Sequence, residues 1–335
     1  MATAQWTAVR LHTPQMYESA VYSVTPGAQG GFVHMSGILD PAIWSGSASS
    51  LLRVQTPALP FGGTGFGVSG SQLVGQNSFP LHAFVYDRAS GSVTDLHPPG
   101  AFGSKAIAVE NGQQVGYADD GANPVAALWS GSAPSFVNLN PAGASWSIAH
   151  ATNGVLQGGD AAFGSSIVAG IWSGSAASFV NLNPPLASGS QLRGMGGDQQ
   201  VGTAKYSGSE RAALWRGSAA SYIDLNPPNA GASLAYGTDG LAQVGYAHFP
   251  TGPSATIWFG SAASAHPLHQ YLPPGYDASI AYDVVHEGDR IIVGGIAYPD
   301  GSERSEAFLW VYVPTPSSLL VLAIAGAATV PRRRR

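Results

Sequence analysis

Cysteine is absent from the 335-residue chain. That excludes disulfides, thiolate chemistry and cysteine-ligated zinc, and leaves the compartment open. Charge is scarce: Asp, Glu, Lys and Arg together supply 10% of the residues, against about a quarter in an ordinary globular domain. The chain is therefore neither a coiled coil nor a charged disordered tail. Basic clusters are missing from its body. Four of the 14 Lys and Arg residues are Arg332, Arg333, Arg334 and Arg335, and setting them aside takes the formal charge from −5 to −9, a balance that argues against a nucleic-acid partner. Long stretches free of Gly and Pro are missing too. Before the C-terminal tail none exceeds 13 residues, so helices of ordinary length would be interrupted. What abounds is glycine, 44 residues, and proline, 24, which serve turns, in a chain long enough for one large all-β core.

A unit recurs through the body. Ala127-Leu-Trp-Ser-Gly-Ser-Ala133 returns as Gly170-Ile-Trp-Ser-Gly-Ser-Ala176 and Ala213-Leu-Trp-Arg-Gly-Ser-Ala219, and stands earlier as Ala42-Ile-Trp-Ser-Gly-Ser-Ala48. Its aromatic falls at Trp44, Tyr86, Trp129, Trp172, Trp215, Trp258 and Trp310, at spacings of 42, 43, 43, 43, 43 and 52. Two further landmarks agree on seven copies: an apolar-polar alternation at 7–11, 50–54, 92–96, 135–139, 178–182, 221–225 and 265–268, and a Val-Gly segment ahead of each aromatic. Within 233–263 the unit reads as strands at 233–236, 243–247 and 256–258, with a fourth after Gly260. Four short strands in about 43 residues is the period of a propeller blade. The expectation is an all-β, seven-bladed β-propeller over residues 5–313, closed by pairing of 7–11 with 307–312. Small residues place the 233–236 type of strand at the channel. The recurring Trp series reads as packing between sheets, and Asn138, Asn181 and Asp224 as caps for turn backbone.

The unit His82-Ala-Phe-Val-Tyr86, Val93-Thr-Asp-Leu96, Ser104-Lys-Ala-Ile-Ala-Val-Glu-Asn111 and Gln113-Gln-Val-Gly116 resembles the HAF family of extracellular repeats. The resemblance spans about residues 5–313. The full His-Ala-Phe signature stands in the unit at 82–116, and Ala-Ala-Leu or similar replaces it elsewhere.

Residues 314–335 form a second unit. Val313-Pro-Thr-Pro316, an apolar stretch at 317–330 and Arg332 to Arg335 resemble the PEP-CTERM sorting signal of Gram-negative bacteria, which is read by an exosortase. Pro314, Thr315 and Pro316 stand at the motif, with Thr315 where the family usually has Glu. As a short helix the 14 apolar residues would reach about 21 Å, less than a hydrocarbon core of about 30 Å, and the arginines would stay cytoplasmic. The resemblance implies an exosortase-like partner, transient membrane anchoring and a surface or extracellular address near exopolysaccharide. Export also needs a leader, and residues 1–6 supply neither a basic nor an apolar segment; the expectation is that the leader is the piece missing.

Signatures of chemistry are few. No Ser has Gly at both −2 and +2, and no Gly-Lys-Ser/Thr loop occurs. Asp283, His286, Glu287 and Asp289 have metal-like chemistry, but Glu287-Gly288-Asp289 falls where other repeats turn. His266 with His269 lacks a third ligand, and Asp119-Asp120-Gly121 lacks the further oxygens of a calcium loop. No cofactor, metal or catalytic residue is expected. Because positions shared by every blade build the ring, a ligand must use positions that differ. The least repetitive segments, 77–82, 119–124, 160–166, 205–211, 248–254 and 298–306, nominate a binding rim of Asp119, Asp120, Lys205, Arg211, His248 and Arg304. The leading reading is an exported, non-catalytic surface or matrix protein. A propeller enzyme, such as a lyase or hydrolase, and a lectin-like module are the competing readings.

Overall fold

The computed structural model of the protein describes residues 5–314. These form seven four-stranded antiparallel sheets arranged as the blades of a propeller. The inner strands are Glu18–Thr25, Gly63–Ser69, Gly103–Glu110, Trp146–Thr152, Gly189–Gly196, Ala232–Thr238 and Tyr276–Glu287, the type expected at the channel. Each continues outward through a second strand, a third strand carrying the repeat aromatic, and an outer strand. In blade seven the outer strand is Gln5–Arg10, which pairs with Glu306–Val313 so that Thr7 faces Val311 and Arg10 faces Phe308. Blade seven also packs on blade one: Leu11, Val21, Val24 and Trp44 share a core with Ile292 and Leu309. The apolar stretch at 317–330, with Thr315, Pro316 and Arg332 to Arg335, lies outside the described residues.

The repeat positions explain themselves as contacts between blades. Trp44, Trp129, Trp172, Trp215, Trp258 and Trp310 are fully buried, and Trp172 packs on Val115, Leu128 and Leu139 of the preceding blade. The Gly of Trp-Ser-Gly-Ser takes a left-handed φ, +78° at Gly131 and Gly174, which a side chain would strain. Its amide donates to a second-strand glutamine, as Gly131 does to Gln114 Oε1 at 2.7 Å and Gly174 to Gln157 Oε1 at 2.8 Å. The next serine contact tightens a single 3-10 turn, Ala133–Ser135 in blade three. That turn consumes residues expected in the outer strands, which shrink to pairs such as Val137–Asn138 and Val180–Asn181.

A second bridge runs from blade to blade. The serine that opens most inner strands accepts the amide of the preceding third strand: Ala126 N donates to Ser147 Oγ, Ala169 N to Ser190 and Ala212 N to Ser233, at 2.9 to 3.0 Å. Ala307 N donates in the same way to Ser19 Oγ at 3.0 Å, joining blade seven to blade one. Blade one carries Pro41 at the donor position, three residues before Trp44, and blade two carries Gly63 instead of serine. Proline has no N–H, so donor and acceptor are absent together and neither is left buried and unpaired.

Candidate functional site

Every inner strand contains a β-bulge, at the same place. Register slips between Val21 and Ser23, Gly65 and Gly67, Ala106 and Ala108, Ala149 and Ala151, Leu192 and Gly194, Ala235 and Gly237, and Ala281 and Asp283. The extra residue is Tyr22, Phe66, Ile107, His150, Arg193, Tyr236 or Tyr282. A bulge re-aims its side chain: all seven line the central cavity and all are half-buried, each following a buried neighbour. The second-strand glycine opposite makes room for it. A Cβ on Gly31, Gly116, Gly159, Gly202, Gly245 or Gly295 would lie 1.9 to 2.0 Å from an inner-strand carbonyl oxygen, closer than atoms approach. The Val-Gly landmark thus records the bulge.

These seven side chains form a collar of two unlike arcs, with the apolar Ile107 of blade three between them. On blades two, one, seven and six it is aromatic: Phe66 stacks on Tyr22 with centroids 5.8 Å apart, Tyr22 meets Tyr282 at 5.0 Å, and Tyr282 meets Tyr236 at 5.0 Å. Burial pushes the Tyr22 and Tyr236 hydroxyls up to about 12 and Tyr282 higher still, so all three stay neutral donors at physiological pH. On blades four and five the collar is polar. His150 Nε2 lies 3.1 Å from Asp160 Oδ2 and 2.8 Å from the Arg193 guanidinium. It can donate to the first or accept from the second, so the tautomer decides which nitrogen property Nδ1 presents. Asp160, itself buried, is fixed by the Leu192 amide at 2.7 Å and lies 3.5 Å from Arg193.

Blade three adds a cation. Lys105 stands two residues before the bulged Ile107, its ammonium 4.7 Å over the Phe66 ring and 5.8 Å from Tyr117. Burial lowers its pKa, and no carboxylate lies within ion-pair distance of it among the described residues. From the collar a cavity of about 670 Å³ runs toward the hairpins that join inner to second strands, reaching Pro26, Asn153, Gly197 and Asp239. That end is acidic. Asp283 accepts from Val24 N at 2.9 Å, and desolvation pushes its carboxyl up to about 7.

The nominated rim lies at the other end of the channel axis, where second strands turn into third strands. Asp119 and Asp120 are taken up by their own turn, Asp119 accepting from Gly121 N at 2.8 Å and Asp120 from Ala122 N at 2.9 Å and Asn123 N at 3.0 Å. Arg211 pairs with Asp224 of the outer strand at 2.8 Å, and Arg304 lies 3.6 Å over the Tyr17 ring. Lys205 and His248 are exposed. No hydrogen bond or ion pair joins any two of the six among the described residues. The metal-like set is dispersed as well: His286 pairs with Asp239, Glu287 accepts from Gly27 N at 2.7 Å, and Gly288 and Asp289 form the turn. His266 bonds Tyr271 at 2.9 Å and His269 bonds Ser279 at 2.9 Å, both as packing. Asn138 and Asn181 accept from the amides two residues on.

Sequence reasoning looked for variation in loops and passed over the collar. The signal in the sequence is partial: aligned on Ser19, Ser104, Ser147, Ser190, Ser233 and Ser279, the fourth position of the inner strand reads Tyr, Ile, His, Arg, Tyr and Tyr, but the second varies as much, reading Ala, Lys, Ile, Gln, Leu and Ile.

No known family profile and no characterised protein sequence matches the chain. Solved structures match its shape. The β-propeller domain of the trilobed protease from Pyrococcus furiosus superposes with a TM-score of 0.57 at 8% identity, covering 88% of this chain and 94% of that one. An acylaminoacyl peptidase from Pyrococcus horikoshii gives 0.56 at 9%, covering 91% of this chain and 53% of that one. An oligogalacturonate lyase in complex with manganese gives 0.55 at 9%, covering 95% and 100%. At such identities the likeness is one of fold.

Proposed function

We propose that the chain is a non-catalytic binding propeller, exported to the surface or extracellular matrix of a Gram-negative bacterium and sorted there through its PEP-CTERM-like tail by an exosortase-like enzyme. Its partner is exopolysaccharide or a surface protein, and the collar is where it is recognised. The observation that supports the collar is its geometry: one bulged side chain per blade, of five kinds around the ring, faces a cavity of the size small-ligand sites have. Retention of the purified propeller on its host's matrix tests this. The double variant Tyr236→Ala with Arg193→Ala should lose retention while melting within a few degrees of wild type, and Lys205→Gln with His248→Gln on the rim should not. Unchanged retention of the collar variant removes the reading. A second reading rests on the 3.1 Å contact between His150 and Asp160, which suits a proton acceptor in a lyase or hydrolase. New chain ends in the matrix polymer, lost with His150→Ala while retention persists, would favour it.

A further inference from the structure

We propose that the collar binds a carboxylate-bearing sugar of the uronic-acid type, with the carboxylate on the Arg193 arc and the ring face on the aromatic arc. This rests on the collar being the recognition site and names what it recognises. The two arcs ask for a ligand with two unlike sides. Phe66, Tyr22, Tyr282 and Tyr236 offer aromatic rings, and the three tyrosines neutral hydroxyls at their edges, a surface that suits the C–H face and the hydroxyls of a pyranose. Opposite them Arg193 spends only one terminal nitrogen on His150 and Asp160. Its remaining N–H groups have no protein acceptor among the described residues and form a fork that matches a carboxylate.

Lys105 is a second cation on a separate blade, placed on the Phe66 side of the ring and outside the lining of the cavity itself. Its ammonium is held over an aromatic ring without a carboxylate partner among the described residues, and partial desolvation makes it unfavourable until an anion arrives. At the far end of the cavity Glu110 disfavours an anionic group, Asp239 being paired with His286, so the carboxylate is held at the collar, which orients the ligand.

The test is titration calorimetry of the full chain with a β-1,4-linked glucuronic acid trisaccharide and with its carboxyl-reduced form, cellotriose. Wild type should bind the acidic trisaccharide about tenfold or more tightly than cellotriose, the amount one charge-assisted hydrogen bond confers. Arg193→Gln should remove most of that preference, Lys105→Met a smaller part of it, and Lys205→Gln should leave it unchanged. Equal binding of the two sugars, or binding of neither, overturns the assignment. If matrix retention still depends on the collar in that case, the recognition site stands and only the ligand class falls. Thermal melts of each variant separate lost contacts from lost folding.

Discussion

Two sets of positions in the same blades behave in opposite ways. The Trp of the third strand, the Gln that holds the following turn, the bridging Ser and the second-strand Gly recur because each makes the same contact in successive blades. One residue beyond the small residue that the Gly faces, the collar position holds Tyr, Phe, Ile, His, Arg, Tyr and Tyr. A contact between like blades can be copied seven times, whereas a ring that faces one cavity has no copy to match. Recurrence therefore marks stability here, and the collar position is free of that constraint.

The sharpest way to break this comparison is at the framework. Trp172→Ala should lower the unfolding free energy by about 3–5 kcal/mol, seen as a shifted urea midpoint, while Ile107→Ala at the collar should lower it by no more than about 1 kcal/mol. Equal losses would erase the distinction. Next comes Gly159→Ala. Its Cβ would meet the Ile148 carbonyl oxygen, so the bulge must flatten, with a destabilisation of about 1–3 kcal/mol and loss of the His150 environment in the NMR spectrum of its imidazole. A packing-only glycine would leave that signal in place.

The bridge between blades gives a smaller, paired effect. Ser147→Ala leaves the buried Ala126 amide without an acceptor and should lower stability by about 1–3 kcal/mol. Gly63→Ser should lower stability in a denaturant titration, since its Cβ would lie 2.6 Å from the Gln76 carbonyl oxygen and Pro41 has no amide to offer in return. The last effect is in pH. Asp283 is raised to about 7, so between about pH 4 and pH 7 the native state holds a proton that the unfolded state has released, and stability falls as pH rises across that window. Asp283→Asn should flatten that fall in melting temperature. Glu306 works in the opposite sense: burial raises its carboxyl, but hydrogen bonds from Arg10 and Tyr276 outweigh this and hold it below its ordinary range. Its contribution is present above the ordinary carboxylate pKa and is lost as pH falls through the lower folded value.

The fold was legible because a blade cannot bury its faces alone. Any sequence that stacks identical sheets must repeat its interface residues, and the count of Trp44 to Trp310 is the count of interfaces. The candidate site was harder to read. Asp119, Asp120, Lys205, Arg211, His248 and Arg304 vary from repeat to repeat, yet Asp119 and Asp120 serve turn amides, Arg211 an outer-strand partner and Arg304 a neighbouring ring, while Lys205 and His248 are exposed, as surface charge usually is. The collar residues sit inside strands, where strict alternation would assign Tyr22 or Arg193 to a sheet face. Only the extra residue of the bulge turns them to the channel.

The sequence by itself determined the period, the number of blades and the residues that bind blade to blade, because those contacts are local or lie one repeat away. The tertiary structure alone decided that seven bulged side chains, some 43 residues apart in the chain, meet around one axis. Which of them touch depends on how the ring brings distant blades together, and no single repeat carries that information.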